Sequence, residues 1–195
     1  MFSKFHRKRY NDTVAGLVEK KIKSTRVHRG SAVDFYQDVV RLPDGRRAIR
    51  DYMKHPGAVT VVPFLNKKEI LILRQHRYPV GKTILEIPAG KIDPNESPLT
   101  CAKRELLEET GYWPRKIKRI FSFWPTPAFA TETMHIYMAW NLVYKEPDRE
   151  EDEFLEPFPI KFSKVVDLIK TGKIQDAKSV IAILTIKTFN LNPYQ

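Results

Sequence analysis

Four glutamates and one arginine are crowded between Gly90 and Tyr112, in GKIDPNESPLTCAKRELLEETGY, and their spacing dictates a local structure before anything else in the chain does. Ser97 can cap a helix with Pro98 at its first position, where a missing N–H costs nothing, and Gly111 supplies the left-handed residue that ends it. The predicted helix runs from Pro98 to Thr110. On it Glu105, Glu108 and Glu109 lie three or four apart and share a face, where like charges repel. Arg104 can reach Glu108 at i+4 but cannot neutralise all three. Leu99, Ala102 and Leu106 mark another face, which is expected to pack into the core. An acidic face without His or Cys offers oxygen ligands only, the preference of Mg²⁺ or Mn²⁺ rather than Zn²⁺.

A solvated acidic helix face is the plain alternative for such a charge run. The pattern is longer than that, however. The segment resembles the Nudix box, G-x5-E-x7-R-E-U-x-E-E-x-G-U with U a bulky apolar residue, at Gly90, Glu96, Arg104, Glu105, Leu106, Glu108, Glu109, Gly111 and Tyr112. The flanks HPGAVTVVPF (55–64), ILRQHRYPV (72–80), LEIPAGKID (85–93) and TGKIQDAKSVIAIL (171–184) are similar to the ADP-ribose pyrophosphatases and related nucleoside-diphosphate-sugar hydrolases of that family. Pro127, fifteen residues past Tyr112, fits the same subgroup, although Thr126 and Ala128 replace the serine and glycine often found beside it.

That resemblance implies an α/β/α sandwich on a mixed sheet with a small N-terminal β region, and Mg²⁺-dependent hydrolysis of ADP-ribose to AMP and ribose 5-phosphate, with Mn²⁺ possible. Hydrolysis of other nucleoside diphosphate sugars is the alternative, with an RNA pyrophosphohydrolase or a non-catalytic binding protein of the same fold ranked below it. Carried over residue by residue, Glu105 and Glu109 are expected to hold metal with the main-chain carbonyl of Ala89, and Glu108 is a weaker ligand. Glu96 is expected to hold Arg104 or the loop. A glutamate that already ligates metal is a poor proton acceptor, so the base is expected from the late acidic segment, at Glu153 or Glu151. Arg50, Arg77, Glu86 and Glu132 are the expected substrate contacts. A homodimer through the N-terminal β region is implied as well.

Composition sets the remaining bounds. A chain of 195 residues that is 42% hydrophobic can bury one substantial core. Three parts are expected: a basic arm over 1–32, an N-terminal β region over 33–56 built on a hairpin, and the hydrolase domain over 57–195. In that domain strands are predicted near 58–64, 69–74, 84–87, 116–123, 133–142 and 159–162, with helices over 163–170 and 176–189. No apolar run is long enough to span a bilayer, and MFSKFHRKRY lacks the apolar stretch of a secretory signal, so no membrane partner and a cytoplasmic location are expected. Cys101 is the lone cysteine and reads as a small core residue. The net charge of +11 is uneven, with nine Lys or Arg against two acids in residues 1–30 and seven acids against one Arg in residues 146–156. The basic arm lacks the aromatic and glycine motifs of a nucleic-acid module, so attraction of an anionic small substrate, or simply solubility, is expected rather than RNA binding.

Overall fold

The computed structural model describes residues 15–30, 33–146 and 154–194. The chain forms two compact units, one from Met1–Lys54 with Ala128–Ala130, the other from His55–Pro127 with Thr131–Gln195.

The first unit is an antiparallel sheet in the order β1 (Lys20–Arg29), β2 (Asp34–Arg41), β3 (Arg47–Lys54). The predicted hairpin is its second half. Gly45, at φ 89°, makes the turn, and Asp44 accepts the Arg46 N–H at 3.1 Å. Sequence pattern alone places Lys20–Arg29 inside the basic arm 1–32, whereas these residues form a full strand on β2. The strand is hidden in the sequence for a physical reason. All ten residues are exposed, and two irregularities, at Lys21/Lys23 and Arg26/His28, break the alternation that would mark a strand. The one buried acid among the described residues of this unit, Asp38, accepts hydrogen bonds from Ser24 at 2.5 Å and from Tyr52 at 3.3 Å.

The second unit holds two sheets. β4 (Ala58–Pro63), β7 (Ala89–Lys91), β8 (Tyr112–Phe123) and β9 (Met134–Tyr144) form a mixed sheet in the order β7-β4-β9-β8, with β4 and β9 parallel. β5 (Glu69–Arg77), β6 (Lys82–Glu86) and β10 (Leu155–Lys161) form an antiparallel sheet in the order β10-β5-β6. Alternation along β4 and β9 splits the core into two layers. Val59, Val61, Tyr137 and Ala139 face α1 (Pro98–Thr110), while Val62, Ile136 and Met138 face α3 (Ala177–Thr188), beside α2 (Phe162–Lys170). Helices therefore cover both faces of the mixed sheet, as expected of the α/β/α sandwich. No helix among the described residues is long and apolar enough to cross a membrane.

The box helix has the predicted ends. Ser97 accepts the Thr100 N–H at 3.1 Å, Pro98 opens the helix, and Gly111 at φ 75° closes it with its N–H on the Leu107 carbonyl. Of the expected inward face, Ala102 and Leu106 are buried and Leu99 is not. The buried stripe consists of Cys101, Ala102, Glu105, Leu106, Glu109 and Thr110. Residues 102, 105, 106 and 109 share one side at 100° per residue. Two of the glutamates thus sit on the packed side of the helix, not opposite it.

Candidate active site

The loop that leaves β6 is pinned at each residue. Ile87 donates its N–H to Ser179 Oγ at 2.9 Å, and the Pro88 carbonyl accepts from Val61 N and from Thr60 Oγ1 at 2.9 and 2.8 Å. Ala89 then donates its N–H to Glu109 Oε2 at 2.9 Å. Gly90 follows against Glu105. A Cβ built on Gly90 would stand 1.8 Å from Glu105 Cδ and 1.9 and 2.2 Å from its oxygens. The glycine of the box leaves the space that the Glu105 carboxylate fills, and a side chain there would displace that carboxylate.

Arg104 orders the other acids. Its Nε and one terminal nitrogen donate to the two Glu96 oxygens at 3.0 and 2.9 Å, and the other terminal nitrogen lies 2.8 Å from Glu108 Oε2 and 2.9 Å from Glu105 Oε1. Glu96 also accepts the Asp93 N–H at 3.2 Å, so it holds both the arginine and the loop. The Arg104 hydrogen bonds keep the Glu96 carboxyl below the usual carboxylate range against the opposing effect of burial. Burial, with the charges of Glu105 and Glu96 behind it, pushes the Cys101 thiol well above its ordinary value, which makes it inert.

Glu105 and Glu109, 8% and 2% exposed, both face the Ala89–Gly90 loop, Glu109 through the Ala89 N–H and Glu105 against Gly90. Glu108 is turned toward Arg104. Among the described residues, no three Asp, Glu, His or Cys side chains converge as a ready-made metal set. The side-chain donors present are two carboxylates, all oxygen. That chemistry fits a hard cation that keeps several waters, such as Mg²⁺ or Mn²⁺, and does not fit a closed zinc site.

The cationic side of the site is built by three elements. Arg77 at the end of β5 donates from Nε and one terminal nitrogen to the two oxygens of Glu86, at 2.9 and 3.0 Å. Glu86 is 1% exposed and also receives Lys178 Nζ. Lys178 bonds Asp176 Oδ1 at 3.0 Å, and Asp176 caps α3 by accepting the Ser179 N–H at 3.0 Å. Burial opposes the charge of Arg77, but the Glu86 hydrogen bonds and the charges of Glu86, Glu109 and Asp176 outweigh it and raise its pKa. Lys178, Asp176 and Ser179 do not stand out as site residues in the sequence, where DAKS reads only as part of a helix. An Asp three residues before a Ser at a helix start is the available signal for the cap; nothing local points to the lysine.

The other expected residues have different partners. Arg50 lies in the N-terminal unit, with its guanidinium on both oxygens of Glu19. Glu132 is half-buried, and its charge acts on His55, whose pKa is lowered chiefly by burial while Glu132 opposes the shift. Thr131 Oγ1 fixes that stretch by accepting the His55 N–H at 2.9 Å and donating to its carbonyl at 3.2 Å. Glu151 and Glu153 lie outside the described residues.

A capped helix with buried glutamates under an Ala-Gly loop, set in a sandwich with a mixed sheet, defines the class: residues 54–181 match the Nudix domain, and the chain belongs to the Nudix hydrolase family. Relatives narrow the comparison. The chain is 39% identical to the ADP-ribose pyrophosphatase of Bacillus subtilis (strain 168) over 169 residues, which are 86% of this chain and 91% of that one. It is 40% identical to the methanol dehydrogenase activator of Bacillus methanolicus over 167 residues, 85% of this chain and 90% of that one. A GDP-mannose pyrophosphatase of Escherichia coli (strain SMS-3-5 / SECEC) is 30% identical over 152 residues, 72% of this chain and 78% of that one. A crystal structure of an ADP compounds hydrolase superposes with a TM-score of 0.78 at 21% identity, over 88% of this chain and 93% of that one, which establishes the shared fold.

Proposed function

We propose that the protein hydrolyses the pyrophosphate bond of ADP-ribose, releasing AMP and ribose 5-phosphate. The observation that carries this reading is the pairing of two buried acids, Glu109 on the Ala89 N–H and Glu105 against Gly90, with Arg77, whose protonated form the charge of Glu109 helps to hold. Likeness to the Bacillus subtilis ADP-ribose pyrophosphatase over most of both chains supports the choice of substrate.

Glu105, Glu109 and the main-chain carbonyl of Ala89 would hold Mg²⁺, with Glu108 next to them. When bound, the cation activates water and offsets the negative charge of the diphosphate. Arg77 binds diphosphate oxygens through the N–H groups that Glu86 leaves free, and Glu86 acts by orienting Arg77. Glu132 contacts the remainder of the substrate, whereas Arg50 belongs to the N-terminal unit, where Glu19 holds its guanidinium. Glu153, with Glu151 as the alternative, takes the proton of the attacking water. The water oxygen bonds to phosphorus, the bridging P–O bond breaks, and the bridging oxygen leaves on the second phosphate. Arg104 keeps Glu105 and Glu108 oriented and touches neither water nor substrate.

The protein acts in this reading as a cytoplasmic homodimer. Support for the dimer comes from Ile22, Val27, Phe35 and Ile49, apolar side chains exposed on the N-terminal sheet. The second reading, GDP-mannose hydrolysis, is favoured by the 30% identical Escherichia coli relative. A substrate panel of ADP-ribose, GDP-mannose, other nucleotide sugars, dinucleoside polyphosphates and capped RNA, with Mg²⁺ and with Mn²⁺, decides between them. ADP-ribose is expected to have the highest kcat/KM. A higher value for GDP-mannose, or no turnover of any nucleotide sugar, would remove the primary reading.

A further inference from the structure

At the start of α3 a chain of alternating charges runs inward from Arg77, and the reaction described above uses only its first two members, Arg77 and Glu86. Arg77 is 39% exposed, Glu86 1% and Lys178 12%. Lys178 therefore cannot serve as a surface cation. It is the second residue of α3, and its ammonium lies between Glu86 Oε2 and Asp176 Oδ1. Asp176 is itself anchored as the cap of α3 by the Ser179 N–H and hydroxyl, and the same hydroxyl receives the N–H of Ile87 in the Ala89 loop.

Charge counting gives Lys178 a specific task. Arg77 and Lys178 balance Glu86 and Asp176. Without Lys178 the group carries a net negative charge, and Arg77 is the cation left hydrogen-bonded to a carboxylate withdrawn from water. A buried carboxylate in that position draws its partner inward and uses its charge. A guanidinium has five N–H donors, two of which Arg77 gives to Glu86. The others recognise an anion well only while the Arg77–Glu86 pair is not electrically closed.

We propose that Lys178 is a positioning residue for diphosphate recognition: by taking a share of Glu86 it leaves Arg77 able to present positive charge to an anionic ligand. The proposal rests on the reading of Arg77 as the diphosphate clamp. Lys178 acts through Glu86 and Arg77 and does not touch the ligand.

The test compares wild type, K178M, K178R and the double variant E86Q/K178M, by kinetics with ADP-ribose and Mg²⁺ and by calorimetric titration with ADP, which needs no turnover. K178M should raise KM and the ADP Kd about tenfold, the scale of one charge-assisted hydrogen bond, with kcat within about twofold of wild type. K178R should restore most of the affinity. E86Q/K178M should recover part of the loss, because the neutral amide no longer consumes the charge of Arg77 but accepts only one of its two hydrogen bonds. A lysine that only supports the fold predicts a lower Tm for K178M with unmoved KM and Kd, and that result overturns the proposal. So does a double variant as weak as K178M, or a wild type that does not bind ADP. K178Q, which keeps a donor without a charge, takes the place of K178M if that variant does not fold. Wild type that fails to turn over ADP-ribose while the ADP affinities follow the expected order removes the substrate reading and leaves Lys178 in its role.

Discussion

Gly90→Ala is the sharpest perturbation of the site, because a single methyl group meets a single carboxylate. The added Cβ would lie 1.8 Å from Glu105 Cδ, against an ordinary carbon–carbon separation of about 3.5 Å, so something must move by roughly 1.7 Å. If β7 moves, its pairing with β4 at Val59–Gly90 is strained and the Ala89 loop shifts with it. If Glu105 moves, it leaves its 2.9 Å contact with Arg104 and its place against Gly90. Overpacking of this kind costs about 1–3 kcal/mol, read as about 2–4 °C of Tm per kcal/mol for a chain of this size. A displacement of this order at reacting geometry lowers kcat on the order of 10²-fold. Urea denaturation and kcat should therefore both report the change. A double-mutant cycle isolates the cause, since Glu105→Ala removes the carboxylate that the methyl group meets. In the E105A background G90A should cost less than about 0.5 kcal/mol. An equal cost in both backgrounds, or a G90A variant with wild-type kcat, would refute the steric account.

Glu109→Gln keeps shape and can still accept the Ala89 N–H, so the unfolding midpoint should stay near wild type while kcat falls by orders of magnitude; wild-type kcat at saturating Mg²⁺ would show that the charge of Glu109 is not used. Because a base acts in the transition state and a clamp partly in the ground state, Glu153→Gln should lower kcat and Arg77→Ala should chiefly raise KM; the reverse pattern in steady-state kinetics would exchange or cancel those roles. The depressed Glu96 carboxyl carries a pH signature: its stabilisation is complete above the unfolded-chain pKa of about 4.3 and is lost as pH falls through the lower folded value. The Tm difference between wild type and Glu96→Gln should accordingly shrink as pH drops from about 5 to 3, and a difference that stays constant would mean that Arg104 does not hold the carboxylate.

What the sequence determined alone is what short-range geometry controls. The box helix could be read to its end residues, since a cap acts over three positions and Gly111 over one turn. Glu105 and Glu109 could be paired because a helix brings residues four apart together whatever surrounds it. The strands rich in β-branched and aliphatic residues were legible by composition. The tertiary structure decided the rest, because the deciding partner was distant or the local signal was absent. β1 alternates too poorly to be read and is a strand through its pairing with β2. Leu99 is apolar but lies beyond what the sheet covers, while two acids take the inward side. Gly90 leaves the space for a carboxylate fifteen residues on, and Lys178 finds Glu86 ninety-two positions away. A buried charge needs a compensating partner, yet the choice among the 34 lysines and arginines of this chain is made only when the fold brings one of them within reach.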